Sequence, residues 1–125
     1  GPRTTEVDVS GFLYGQGDLS LPDARRDPPV VAPGQPLQFV NRDAGRDIFH
    51  TITGCRLPCS GITGIAFPLA NGGIFDSGEL GFGPAAFTPA ANRISWSTPG
   101  DLPPGTYAYF CRVHPFMRGA FRVKG

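Results

Sequence analysis

Residues 105–123 read GTYAYFCRVHPFMRGAFRV, and this stretch predicts two β-strands joined by a loop. Aromatic and β-branched side chains favour a strand at residues 106–111, and a second strand is predicted at residues 119–123. The loop between them carries a thiol, an imidazole and a thioether at three-residue intervals, in Cys111, His114 and Met117. A loop can turn all three side chains toward one point, whereas alternate residues of a strand face opposite sides. The loop is therefore a candidate metal site.

Six further short strands are predicted upstream of this stretch. They cover residues 6–14, 30–32, 37–41, 47–53, 74–78 and 93–97. Turns rich in Gly and Pro separate the strands, residues 15–29 read as a loop, and no segment predicts a long helix. We therefore expect an all-β fold, a two-sheet sandwich of seven to eight strands that forms a single domain over residues 1–125.

Composition excludes some classes of protein. The formal net charge is +1 and the basic residues are not clustered, so no nucleic-acid partner is expected. The longest apolar stretch, residues 62–70, is short and broken by Gly64 and Pro68, so no membrane span is expected either. The Gly1-Pro2 start is typical of the remnant of a cleaved purification tag.

A fourth donor, His50, lies in the predicted strand at residues 47–53. Two imidazoles, one thiolate and a weak axial thioether form the ligand set of a blue-copper centre. A thioether is a poor ligand for zinc, magnesium or calcium, so the donor set predicts one copper ion. A single His or Met is more often structural, but the chain has two His and one Met, and three of the four donors fall in one seven-residue window.

The stretch at residues 105–119 resembles the C-terminal copper loop of the cupredoxins, most closely that of amicyanin and plastocyanin. The sequence VAPGQPLQFVN at residues 31–41 and the strand with His50 are also similar to that family. The resemblance implies a Greek-key β-sandwich with a type 1 copper site at one end. It implies that His50 and His114 are the imidazole ligands, Cys111 the thiolate and Met117 the axial ligand.

The resemblance further implies a protein that shuttles single electrons and is not itself an enzyme. Redox partner proteins would dock near His114, Pro115 and Phe116, and we expect a monomer. Two alternatives remain open: a copper carrier or storage protein, and the cupredoxin domain of a larger redox enzyme. Arg56, Arg112 and Arg118 would form the charged rim of the docking surface, or are simply solvated arginines. One departure is Thr51, where plastocyanin and amicyanin have an Asn that ties the two ligand loops together.

Cys55 and Cys59 lie close together, just after the predicted His50 strand. A disulfide between them is the favoured interpretation, and a second metal or redox site is the alternative, for which no spare His exists. They lie in residues 54–73, which we interpret as a long irregular insertion. A disulfide would indicate an extracytoplasmic protein, in the bacterial periplasm or on the outer cell surface, either free or anchored to a membrane.

Overall fold

Two β-sheets make up most of the regular structure in the computed structural model, which describes residues 3–55, 75–82 and 93–125. The described strands are β1 (Glu6–Val9), β2 (Val30–Val31), β3 (Gln38–Asn41), β4 (Thr53–Cys55), β5 (Ser95–Ser97), β6 (Gly105–Phe110) and β7 (Arg118–Val123). One sheet has the order β1-β3-β5 and the other the order β2-β7-β6-β4. The predicted all-β sandwich is therefore confirmed.

The connections between strands mostly cross from one sheet to the other. Each strand from β1 to β5 is followed by a strand of the opposite sheet, while β6 and β7 form an antiparallel hairpin. The pairs β1–β3 and β2–β7 are parallel, and the other pairs are antiparallel. Parallel neighbours require crossover connections, so the strands cannot form a simple meander.

The space between the sheets is filled by large aromatic side chains. The Tyr109 ring on β6 lies edge-on to the ring of Tyr14, with centroids 4.7 Å apart, and to the ring of Phe39, at 5.1 Å. Phe121 on β7 is also completely buried. Each fully buried side chain of this size contributes about 1.5–3 kcal/mol of hydrophobic free energy, so this cluster is a main source of stability.

The strand predicted at residues 47–53 is wrong over most of its length. Asp47 has a left-handed backbone with φ of 60°, and the strand that does form, β4, begins at Thr53. The side-chain amide of Asn41 donates to the carbonyl oxygens of Ile48, at 2.9 Å, and Leu80, at 2.8 Å. Tertiary hydrogen bonds of this kind replace the regular ladder that the β-branched composition favoured.

The loop predicted at residues 15–29 contains regular structure. A 3-10 turn covers Gly15–Gly17, and a short helix, α1, covers Pro22–Arg26. In the predicted strand at residues 74–78, Asp76 makes an isolated bridge to Thr53, and residues 75–78 contain no strand. Within the described parts of the chain, no helix has the length and apolar character needed to cross a membrane.

The predicted insertion at residues 54–73 is largely untested. Residues 54 and 55 belong to β4, and the remainder lies outside the described residues. The interpretation of Gly1-Pro2 as a tag remnant also falls outside them.

Candidate metal centre

The hairpin of β6 and β7 presents the loop that carries three of the predicted ligands. Cys111 directly follows β6. The backbone N–H of Cys111 donates to the Met117 carbonyl at 3.1 Å, and this hydrogen bond closes the loop. The Met117 N–H in turn donates to the carbonyl of His114 at 2.8 Å. The cross-strand pair Phe110 and Arg118 fixes both ends of the loop, so the ligands project from a rigid base.

His50 reaches the same place from the segment that precedes β4, the strand that pairs with β6. Its backbone N–H donates to the Leu80 carbonyl at 3.2 Å, and the Leu80 N–H donates back at 2.8 Å. This isolated bridge holds a side chain that is completely buried.

The donor atoms of His50, Cys111 and His114 converge. Each Nδ1 lies 3.8 Å from the Cys111 Sγ, and the three donor atoms all lie within 4.8 Å of one another. Met117 is buried in the same loop and belongs to the same core cluster as Cys111. The structure therefore brings together the residues that the sequence selected, at separations that leave room for one ion between the donors.

The surroundings of the Cys111 sulfur suit a thiolate that faces a cation. The backbone N–H groups of Thr51 and His114 each donate to Sγ at 3.4 Å. Burial raises the pKa of the thiol, and these N–H groups oppose that rise. A buried thiolate is costly unless a positive charge lies beside it, and a bound metal ion supplies that charge.

Both imidazoles are suited to metal binding because they favour the neutral state. Burial lowers the pKa of His50, against the opposing effect of the Asp43 carboxylate. Burial also lowers the pKa of His114, and the neighbouring His50 adds to that effect. A neutral ring keeps a lone pair for the metal, so the donor set fits the softer transition metals, copper in particular.

Thr51 ties the two ligand segments together despite the change from Asn. Besides its N–H bond to the sulfur, its Oγ1 accepts a hydrogen bond from the Arg112 backbone N–H at 2.8 Å. The same hydroxyl lies 2.9 Å from Thr53 Oγ1, which donates to Asp76 at 2.7 Å. A shorter side chain thus links the His50 segment to the Cys111 loop.

Arg112 does not belong to an exposed rim. Its side chain is buried, and its Nη1 lies 3.2 Å from the Asp76 carboxylate. Arg118 is half-buried, and Arg56 lies outside the described residues.

Two residues beside the site are not indicated by any pattern in the sequence. Asp43, in the turn after β3, is 1% exposed and its Oδ2 lies 2.8 Å from His50 Nε2. Phe12 places its ring edge-on to the ring of His114, with centroids 5.0 Å apart. An Asp in a turn and a Phe near a strand carry no local signal of such a role, since both contacts depend on the tertiary fold.

The predicted disulfide stays a prediction. Cys55 ends β4, and its proposed partner Cys59 lies outside the described residues. In the described part of the chain, Cys111 is a free, buried cysteine.

The comparisons with known proteins rest on structure alone, because no protein-family model and no curated protein matches the chain. Two amicyanin variants, one in the Cu(I) form and one in the oxidised state, each have a TM-score of 0.57 and 21% sequence identity, over 97% of this chain and 82% of theirs. A copper-containing nitrite reductase from Thermus scotoductus SA-01 has a TM-score of 0.56 and 19% identity. That match covers 98% of this chain and 22% of the reductase chain.

These likenesses concern the arrangement of the strands, and the cluster of donor atoms is an independent observation on this chain. The sandwich, its crossing connections and the closed loop after β6 all agree with the fold expected from the sequence. The chain therefore has the cupredoxin fold, and at one end of it lies a cluster of His50, Cys111, His114 and Met117 that could bind one copper ion.

Proposed function

We propose that this protein is a type 1 copper protein that carries single electrons between redox partners. The observation that supports the proposal is the convergence of three donor atoms within 4.8 Å, where His50 and Cys111 are completely buried and the loop also carries the buried Met117. We assign His50 and His114 as imidazole ligands, Cys111 as the thiolate and Met117 as the axial ligand. A bound copper ion would supply the one-electron change between Cu(I) and Cu(II).

The residues of the chain would hold the donors in place during that change. The loop that follows β6 is closed by its own backbone hydrogen bonds, and His50 is fixed by its bridge to Leu80. Because these contacts restrain all the donors, little has to move when the charge of the site changes. A site that reorganises little suits rapid electron exchange.

We infer that electrons enter and leave at the His114 edge. His114 is half-buried, whereas His50 and Cys111 are completely buried. Phe116, next to this edge, is 70% exposed, and its ring lies 6.1 Å from the His114 ring between centroids. An exposed aromatic beside the accessible ligand is suited to a transient contact with a partner protein.

The decisive test is the visible spectrum after addition of Cu(II) to the purified chain. We expect an intense copper–thiolate band with one copper bound per chain, and Cys111→Ser should abolish the band. A wild-type protein that takes up Cu(II) without colour would contradict the assignment.

Electron exchange with a small redox protein, measured by stopped flow, would separate an electron carrier from a copper carrier or storage protein. We expect rapid exchange that is slowed by Phe116→Ala and unchanged by Leu21→Ala, a matched change at an exposed apolar residue beside α1. Slow exchange in a fully copper-loaded wild-type protein would favour the storage function.

The likeness to a nitrite reductase supports a second candidate, a domain of a larger redox enzyme. The match spans 22% of the reductase chain, so this chain corresponds to less than a quarter of that protein. However, the chain has two His, and both belong to the proposed site, so no imidazole remains for a second copper centre. We therefore expect no turnover of nitrite or oxygen by this chain alone, which an assay of nitrite consumption would check.

We also propose an extracytoplasmic location and a disulfide between Cys55 and Cys59. The support is the short spacing of the two cysteines in the sequence. Thiol counting in denaturant, before and after reduction, should show one free thiol rising to three, because the chain has three Cys.

A further inference from the structure

The Asp43 carboxylate receives donors from two separate parts of the chain. Its Oδ2 lies 2.8 Å from His50 Nε2, the ring nitrogen opposite the one that faces Cys111. Its Oδ1 accepts from the Gly11 backbone N–H at 3.1 Å, and Oδ2 also accepts from that of Phe12 at 3.5 Å. One buried carboxylate therefore connects a proposed metal ligand to the turn that follows β1.

That turn has an unusual backbone. Gly11 and Phe12 both have positive φ, at 60° and 63°, and form a two-residue turn closed by mutual hydrogen bonds between Ser10 and Leu13, each 3.1 Å. Such a turn suits Gly and Asn, whereas a left-handed conformation is unfavourable for residues with bulky side chains. A bulky residue held in this conformation points to a function for its side chain.

The Phe12 ring lies against both imidazoles. Its centroid is 5.7 Å from that of His50 and 5.0 Å from that of His114, and both contacts are edge-on. It also contacts Phe116, at 6.2 Å. The strained turn therefore places an apolar ring between the two proposed imidazole ligands and solvent.

We propose that Asp43 and the Gly11–Phe12 turn form one positioning device for the metal centre. The carboxylate accepts a hydrogen bond from the Nε2–H of His50, which leaves Nδ1 as the atom with a free lone pair toward Cys111. The same carboxylate holds the turn, so that the Phe12 ring keeps water away from both imidazoles. This inference rests on the proposed copper site and adds residues that act through His50 and His114.

The first experiment compares Asp43→Asn with Asp47→Asn in the copper-loaded full chain. Asp47 lies on the same segment, is exposed, and has a left-handed backbone that Asn also adopts. Asp43→Asn should raise the reduction potential, because loss of a negative charge beside His50 disfavours Cu(II), and should weaken copper binding about 10- to 100-fold. Asp47→Asn should change neither measurement.

The second experiment tests whether the turn and the carboxylate act together. Phe12→Ala should speed the removal of copper by excess EDTA, while Leu13→Ala, in the same turn, should not. If the carboxylate acts partly through the turn, the effects of Phe12→Ala and Asp43→Asn will be less than additive in the double variant. Fully additive effects, or equal effects of Phe12→Ala and Leu13→Ala, would overturn the inference.

A third measurement does not depend on the folding of Asp43→Asn. In the wild-type Cu(I) protein, the Nε2 proton of His50 should exchange slowly with solvent and be visible by NMR, and Phe12→Ala should accelerate that exchange. Rapid exchange in the wild type would overturn the inference. These outcomes are distinct from failure of the proposed function, in which the wild-type chain would show no copper–thiolate band at all.

Discussion

At the scale of single residues, Thr51 is the side chain on which both ligand segments depend. Its hydroxyl accepts from the Arg112 N–H, and its own N–H donates to the Cys111 sulfur. We predict that Thr51→Val lowers the free energy of unfolding by about 1–3 kcal/mol, because a buried N–H loses its acceptor. Urea unfolding of the metal-free protein would measure the change.

Thr51→Ser is the matched control, because it keeps the hydroxyl and removes a methyl group. It should retain the position and intensity of the copper–thiolate band, whereas Thr51→Val should shift the band. Equal spectra for the two variants would show that the hydroxyl does not position the loop.

Two buried tyrosines in contact differ in the use of their hydroxyl groups. Tyr14 donates to the Thr51 carbonyl at 2.6 Å, while the Tyr109 hydroxyl has no hydrogen-bond partner among the described residues. Tyr14→Phe should therefore cost about 1–3 kcal/mol of unfolding free energy, and Tyr109→Phe should cost nothing or be stabilising. Thermal unfolding of the two variants under the same conditions would measure the difference. Equal losses of unfolding free energy in the two variants would contradict the prediction.

The sequence pattern identified donor residues that the fold does bring together, and it missed the residues that support them. Cys111, His114 and Met117 are recognisable because their chemistry is rare and their spacing is local. The role of Asp43 depends on Gly11 and His50, which only the fold brings beside it, so no local pattern could indicate it.

At the scale of elements, the β6–β7 hairpin depends on close contact between Tyr109 and Gly119. A Cβ atom at Gly119 would clash with Cζ of the Tyr109 ring, so one of the two residues would have to move. We predict that Gly119→Ala is destabilising by about 1–3 kcal/mol, the usual range for overpacking. Chemical denaturation would report the loss.

The control for that prediction is Gly45→Ala. A Cβ atom at Gly45 meets nothing within 4 Å among the described surroundings, and its φ is not positive. This variant should leave the unfolding midpoint nearly unchanged. A loss as large as that of Gly119→Ala would mean that glycine flexibility, not the ring contact, is the cause.

The strands that the sequence predicted well are those whose pattern agrees with their tertiary setting. The strands β6 and β7 lie side by side and close on each other, so local preference and packing favour the same structure. Around residue 47, local preference and tertiary packing favour different structures. The side-chain amide of Asn41 donates a hydrogen bond to the Ile48 carbonyl, and the strand begins only at Thr53, later than the composition indicates. The short helix α1 had its own signals, Pro22 at the start and Arg25 and Arg26 at the end, but it is too short for a periodic pattern.

At the scale of the whole molecule, stability should fall at alkaline pH. Burial raises the pKa of both Tyr14 and Tyr109 in the folded state. A group with a raised folded pKa contributes its full stability below the ordinary tyrosine value of about 10 and loses it as pH rises further. Urea midpoints of the metal-free protein should therefore decrease above about pH 10, and the decrease should be smaller in the Tyr14→Phe, Tyr109→Phe double variant.

Copper should stabilise the entire fold. An ion that binds the native state and not the unfolded chain adds about 2.7 kcal/mol when free ligand exceeds the dissociation constant 100-fold. We predict a higher Tm for the copper-loaded protein and no increase for Cys111→Ser under the same conditions. Equal melting temperatures with and without copper in the wild type would contradict binding to the folded state.

The bridge between Thr53 and Asp76, together with the 2.8 Å hydrogen bond from Gly54 N–H to the Phe75 carbonyl, brings residues from either side of the undescribed segment 56–74 next to each other. When the two ends of a segment lie this close together, the entropic cost of closing the loop grows only slowly as residues are added to the segment. Descendants of this chain could therefore gain or lose residues there during evolution, or a foreign domain could be grafted at this point, while His50, Cys111 and His114 keep their positions.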